Sequence, residues 1–151
     1  MSPRACHFVV IAVSAVSAAC ASVSRSSGPR YLVTDGAIDV ALGMRLCVAV
    51  DPADVRGVWW WEPGATGCDS RSTGPDLFRP DGASVVRSAG SMIVSFRLGT
   101  HSDTRPFVDV RLRVDGNQMR SEETGAQVSV KRRTALDVPL VPPRAMMNHP
   151  H

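Results

Sequence analysis

Apolar and polar residues alternate with a period of two through most of this chain, and that pattern constrains the fold more than any other feature. In "MIVSFRL", Met92, Val94, Phe96 and Leu98 share one side; in "FVDVRLRV", Val108, Val110, Leu112 and Val114 do the same, and Val128 and Val130 extend the set in "QVSVKRR". Successive strand residues point to opposite faces, so these positions form a core, while Arg97, Asp109, Arg111, Arg113 and Lys131 form a solvated outer face. No segment carries a helical period, and no internal repeat is present.

Turn chemistry divides the alternating stretches. "YLVT" and "AIDVAL" flank Asp35-Gly36, which suits a two-residue hairpin; "MRLCVAV" and "VRGVWWW" flank "DPAD", where Pro52 presets a turn. "SVVR" meets "MIVSFRL" across "SAGS", and Asp115-Gly116-Asn117 and Thr124-Gly125 separate "FVDVRLRV", "QMRSE" and "QVSVKRR". The expected fold is all-β: a single small antiparallel meander of about eight strands with one disulfide, forming a barrel or a sandwich. A barrel is preferred because local turns predominate and closure removes exposed edges.

The N-terminus points to export. Arg4 precedes "FVVIAVSAVSAA", an apolar run shorter than the about 20 residues of a membrane span but suited to the core of a signal peptide. Ser17-Ala18-Ala19-Cys20 resembles the lipobox of bacterial lipoproteins, departing from it at Ser17, where an aliphatic residue is usual. The resemblance implies lipid modification of Cys20 and anchoring in a membrane on the periplasmic side; ordinary cleavage after Ala21, giving a secreted protein, is the competing processing. The expected organisation is a signal peptide over 1–19, a Ser/Gly/Pro tether over 20–30, an all-β domain over 31–138 and a proline-punctuated flexible tail over 139–151.

Cysteine usage agrees with export. Of four cysteines, Cys6 lies in the segment to be removed and Cys20 at the processing site, leaving Cys47 and Cys68 as one pair in an oxidising compartment. No Cys-x-x-Cys or His-x-His cluster lies near Cys47 and Cys68, so a metal site is not expected there. A gathering of Met146, Met147, His149 and His151 in the tail has no fixed geometry behind it.

The three tryptophans stand side by side in "GVWWWEPGATGC". Alternation puts Trp59 and Trp61 on one face and Trp60 on the other with Arg56 and Glu62, whose charges mark that second face as the outward one. Cys47 and Ala49 also point outward. A disulfide to Cys68 then pins the Gly/Pro/Ser loop "EPGATGCDSRSTGPDLFRP" beside Trp60, with Asp69, Arg71 and Ser72 on its rim. Two readings follow. Trp60, Glu62, Asp69, Arg71 and Ser72 bind a glycan, a peptidoglycan fragment or an envelope protein, or the loop buries Trp60 as a satellite core.

Catalytic signals are sparse. There is no Gly-x-Ser-x-Gly, P-loop, dinucleotide fingerprint or His-Glu-x-x-His, and no cofactor is expected. His101 near Asp103 in "THSDTRP" is the one pairing that suits a small hydrolase, and it reads more simply as surface. A formal charge of +3 is too small to argue for nucleic acid. The architecture is similar to that of the periplasmic and membrane-bound inhibitors of c-type lysozyme, and "SRSTGPDLF" has a likeness to their inhibitory Ser/Gly loop, without its tyrosine after the glycine. That likeness implies inhibition of a cell-wall hydrolase, with Arg71 and Ser72 near the contact. The expectation is a non-catalytic binding or structural module of the bacterial envelope, held to the membrane through Cys20.

Overall fold

The computed structural model describes residues 30–41, 43–74 and 76–141; the expected signal segment, Cys20, the tether up to residue 29 and the tail beyond residue 141 lie outside the described residues. Eleven strands follow one another: β1 (Tyr31–Thr34), β2 (Ile38–Ala41), β3 (Met44–Val50), β4 (Val58–Trp61), β5 (Pro63–Gly64), β6 (Gly67–Arg71), β7 (Asp81–Ser88), β8 (Ser91–Gly99), β9 (Phe107–Asp115), β10 (Gln118–Ser121) and β11 (Gln127–Arg133). Nine of them form one antiparallel sheet in the order β2-β3-β1-β11-β10-β9-β8-β7, with β4 beside β3; β5 and β6 form a second, two-stranded sheet.

The second half of the chain is the meander the alternation predicts. Ser88 faces Ser91 across the Ala89-Gly90 turn, nine consecutive residue pairs join β8 to β9 from Ser91↔Asp115 to Gly99↔Phe107, and β10 pairs with both β9 and β11. The outward arginines are matched with acids. Arg97 binds Asp109 at 2.8 Å, and Arg111 and Arg113 share Glu122 at 2.9 and 3.6 Å.

The first half departs from expectation at Asp35-Gly36. Instead of a β1–β2 hairpin, both segments run antiparallel to β3, with Leu32↔Val50 and Val33↔Ala49 followed by Ile38↔Leu46 and Asp39↔Arg45. Between these pairings three residues, Asp35 to Ala37, separate Thr34 from Ile38 and one, Cys47, separates Leu46 from Val48, so the chain bulges rather than reverses. The buried Thr34 hydroxyl accepts the Val48 N–H at 3.0 Å and repairs the ladder.

The preferred barrel does not form. Only β4's pairing with β3 and β7's pairing with β8 tie these margins to the sheet, and no ladder joins them. Phe78 explains the gap: it exchanges both backbone hydrogen bonds with Trp60, at 2.9 and 3.1 Å, using the groups a β4–β7 ladder would need. Nearby, the Val85 N–H reaches the Val55 carbonyl at 2.8 Å. The sheet is therefore folded over on itself without closing, and Ile38, Val40, Leu46 and Val48 share one core with Val94, Phe96, Val110 and Leu112.

A second, smaller core lies on the other face of β1, β3 and β4. It holds Val33, Cys47, Ala49, Trp61, Cys68 and Val138. The Cys47–Cys68 disulfide, with a Cα separation of 5.5 Å, pins the β5–β6 hairpin over it. That hairpin is the surprise of the expected structureless loop. Gly64 permits it: a Cβ there would stand 2.3 Å from Ser70 Oγ and 2.7 Å from Val141 Cγ2. The chain after β11 completes the cover. Arg71 N donates to Pro139 O at 3.0 Å and Val141 N donates to Arg71 O at 2.9 Å, so the bonded backbone passes the expected domain end at 138.

Candidate binding cleft

The register decides where each tryptophan points. Directly opposed residues of an antiparallel pair share a face, and the pairs are Cys47↔Trp61, Val48↔Trp60 and Ala49↔Trp59. Trp61 and Trp59 therefore stand under the lid with the disulfide, and Trp60 stands on the main-core side with Val48. This reverses the expected face. β4 begins only at Val58, so Arg56 lies in the Asp51–Gly57 loop and Glu62 beyond the strand end, and neither charge reports the orientation of the residues between them. The division into two faces holds; the face that shares Cys47 is the other one.

The three rings have three environments. Trp61 is fully buried, and its indole Nε1 has no hydrogen-bond partner among the described residues, so it serves the small core by volume. Trp59 is half-buried, edge-on to Tyr31 with centroids 5.7 Å apart, and carries the Arg79 guanidinium 4.9 Å from its ring centre. Trp60 is half-buried too, stacked on Phe78 with centroids 4.7 Å apart and planes inclined by 25°.

Trp60 also lines an open cleft of about 670 Å³. Its apolar wall is Trp60 of β4 with Met44 and Leu46 from the start of β3; Glu62 and Ser72 stand beside it. Glu62 and Ser72 are fixed to each other, the serine hydroxyl donating to Glu62 Oε2 at 3.2 Å and the serine N–H to the Glu62 carbonyl at 3.2 Å. Across the cleft come Arg45, which pairs with Asp39 at 3.1 Å, and the loop after β8 that carries His101. That loop is closed on itself. Thr100 N donates to Pro106 O at 2.8 Å, the Thr100 hydroxyl to Arg105 O, and Arg105 holds Glu123 at 3.1 Å.

Of the five residues expected to form a site, Trp60, Glu62 and Ser72 thus converge. Asp69 and Arg71 do not line this cleft. Asp69 fastens the lid to β11, accepting from Lys131 Nζ at 3.0 Å and from Arg133. The hydrogen bond and charge of Lys131, with a smaller contribution from Arg133, hold its carboxyl below the ordinary range. Arg71 directs Nε to the Gly74 carbonyl at 3.2 Å, while its backbone ties β6 to residues 139–141. Met44 and Leu46 escape sequence reading because Trp60 is expected on the other face of the β3–β4 pair, and His101 because only the folding of the sheet brings it to Trp60.

His101 lines the cleft, and Asp103 is not among the lining residues. Among the described residues no hydrogen bond joins His101 to Asp103 or to a serine hydroxyl. No group of three or more His, Cys, Asp or Glu side chains among the described residues has the geometry of a metal site. Chemically the cleft offers an aromatic and aliphatic wall, one carboxylate and several fixed hydroxyls, a combination suited to an amphipathic ligand.

Fold and cleft together define a disulfide-stapled all-β domain built on an antiparallel sheet folded over on itself. The chain matches no protein-family model, and no curated protein or solved structure is significantly similar to it.

Proposed function

We propose that this chain is an exported, lipid-anchored module of the bacterial envelope that binds a glycan or peptidoglycan fragment without transforming it. The observation that carries the reading is the convergence of Trp60, Met44 and Leu46 with Glu62 and Ser72 around one open cleft. A sugar ring presents an apolar face to an indole and hydroxyls to a carboxylate and serine, so each wall has a use. The lipobox-like Ser17-Ala18-Ala19-Cys20 and the short tether support anchoring, and the buried disulfide suits an oxidising compartment.

Titration of soluble peptidoglycan fragments while tryptophan emission is recorded tests the binding. Saturable change in the wild type, lost in Trp60→Ala with Trp61 emission retained, is the expected result; an emission unmoved by every fragment, or equal binding by Trp60→Ala, removes the reading. If cell-wall hydrolase inhibition is the purpose of the rim, a lysozyme lysis assay will show it, and Ser72→Ala will weaken it. Hydrolysis of any fragment that disappears in His101→Ala would replace binding by catalysis.

A further inference from the structure

Alternation places two arginines on the core side of the sheet at the end of the molecule opposite Trp60. Arg87 follows the buried Val85 by two residues and pairs across the ladder with Met92; Arg132 follows the buried Val130 by two and pairs with Leu32. Both therefore occupy positions where the strand pattern would next place an apolar side chain. Together with Leu32, Met92 and Val114 they line a cleft of about 490 Å³, to which the Ser88–Ser91 turn adds two serines. Met92 here and Gly99 at the Trp60 cleft mark opposite ends of β8.

Arg87 and Arg132 are the two cations without an ion pair that line one cleft together; among the described residues Arg56 and Arg120 also form none. Most cationic side chains of the described residues are matched with carboxylates: Arg30 with Asp51, Arg45 with Asp39, Arg79 with Asp54, Arg97 with Asp109, Arg105 with Glu123, Arg111 and Arg113 with Glu122, Lys131 and Arg133 with Asp69. Neither Arg87 nor Arg132 forms an ion pair or a side-chain hydrogen bond among the described residues. Neither Asp51 nor Asp115 pairs with either arginine. Burial raises the Asp51 carboxyl, but the Arg30 hydrogen bond, the Ala53 N–H and the Arg30 charge together hold it below the ordinary range, so it remains an anion spent on Arg30. Asp115, opposed to Ser91, lines the cleft on the other side of the β7–β8 hairpin.

Two like charges beside an apolar floor repel each other, and an oxyanion between them would relieve the repulsion. We infer that the Arg87–Arg132 cleft is a binding site for a phosphate group, carried either by an anionic lipid headgroup or by free phosphate. A guanidinium presents a planar fork of donors matched to phosphate oxygens, and Ser88 and Ser91 stand at the same rim, the Ser91 hydroxyl donating to the Ser88 carbonyl at 3.1 Å. The lipid source rests on the anchoring reading. The roughly ten residues from Cys20 to Arg30 span at most about 36 Å, and the chain enters the sheet two residues before Leu32, at this end. Val55 and Val86, 71% and 54% exposed, flank the same end with Arg56 and would meet a bilayer interface with apolar side chains.

The test uses the full exported chain carrying Cys20→Ser, so that acylation cannot hold it to vesicles. Binding of inorganic phosphate is read by calorimetry, and co-sedimentation compares vesicles containing phosphatidylglycerol with vesicles of phosphatidylcholine alone. Arg87→Gln/Arg132→Gln should weaken binding by at least about tenfold, Arg87→Lys/Arg132→Lys should restore part of it, and Arg56→Gln, a cation at the same end, should leave phosphate binding unchanged. Phosphate binding without vesicle binding supports the site and assigns free phosphate; vesicle binding without phosphate binding supports it and assigns the lipid headgroup. No binding in either arm overturns the site, as does an equal loss in Arg56→Gln, which would signify general charge attraction. Because the phosphate arm uses no membrane, its outcome is separate from whether Cys20 carries a lipid.

Discussion

The two cores of this molecule are built in different ways. The larger one is built mostly on long hairpins whose partners are close in sequence, with β1 to β4 packed onto them: β8 pairs with β9 over nine residues across one connection, and β10 with β9 and β11 across short connections. The smaller one gathers Trp61, Val33, Cys47 and Val138 from distant parts of the chain under a two-stranded hairpin. Its cover is held by a disulfide across 21 residues, by Asp69 on β11 and by backbone bonds to the chain after β11. A layer of local pairings supports itself, whereas a lid of non-local ties depends on each tie. The same division separates the two clefts, since Trp60 belongs to the strand that both cores share.

The comparison can be broken first through the large core. Leu112 is fully buried among its cluster, and Leu112→Ala should cost about 4 kcal/mol and lower the unfolding temperature of fluorescence and far-UV dichroism together. Removing the disulfide should act differently. Cys47→Ser/Cys68→Ser should cost about 3 kcal/mol for a ring of this length, and Trp61 emission should shift to the red at a lower denaturant concentration than the loss of strand signal. Coincident transitions in that variant would mean that the lid and the meander are one cooperative unit.

What was legible in the sequence follows the same line. From β7 to β11 the period-two pattern and, Ala89 apart, the turn residues agree, and strands, turns and inward positions appear as read. The pairing of Cys47 with Cys68 was legible by elimination. Asp35-Gly36 misled because the composition that suits a hairpin turn also suits a bulge, and which of them forms depends on β3, a strand not yet placed. The tryptophan faces were misassigned because β4 is four residues long and covered on both sides, so alternation lacks a polar face to read. Val138 was lost to the prolines around it, although its burial is complete enough to fix the chain there. At the candidate site, Trp60, Glu62 and Ser72 come from one stretch and could be grouped; His101 reaches them through topology alone.

Acid should sharpen the contrast on the lid side. Asp69 gains Lys131 and Arg133 on folding, and its carboxyl is held below the ordinary range. A carboxyl lowered in the folded state stabilises it at every pH above the unfolded value, about 3.9, and that contribution is lost as pH falls through the folded value. Asp69→Asn should therefore lower stability at pH 7 by less than about 1 kcal/mol, since the pair is solvent-exposed, and the two proteins should converge well below pH 4. Thermal melts from pH 7 to pH 2 check this; a difference that persists at the acid end would assign the effect to hydrogen bonding by the neutral side chain.

The smallest expected effect tests the self-supporting half at the one turn where its local chemistry disagrees with its fold. Ala89 has φ 46°, and it is the only non-glycine residue described with a positive value; Gly90 follows at 84°. Two successive positive angles define the tight turn whose twist matches the strands, and Asn-Gly or Gly-Gly supplies it without strain. An L-alanine there costs about 1–2 kcal/mol. Ala89→Gly relieves that cost but gives the unfolded chain more freedom, worth about 0.4–1 kcal/mol in the opposite direction. The net gain is therefore about 0.5 kcal/mol, measurable as a rise in denaturation midpoint with an unchanged slope. Ala89→Asn tolerates the same backbone while retaining a side chain, so a gain shared by both variants isolates the angle as the cause. A loss in both would show that the β8–β9 ladder, rather than its neighbouring turn, sets the register of β7, and the locality attributed to this half of the molecule would have to be given up.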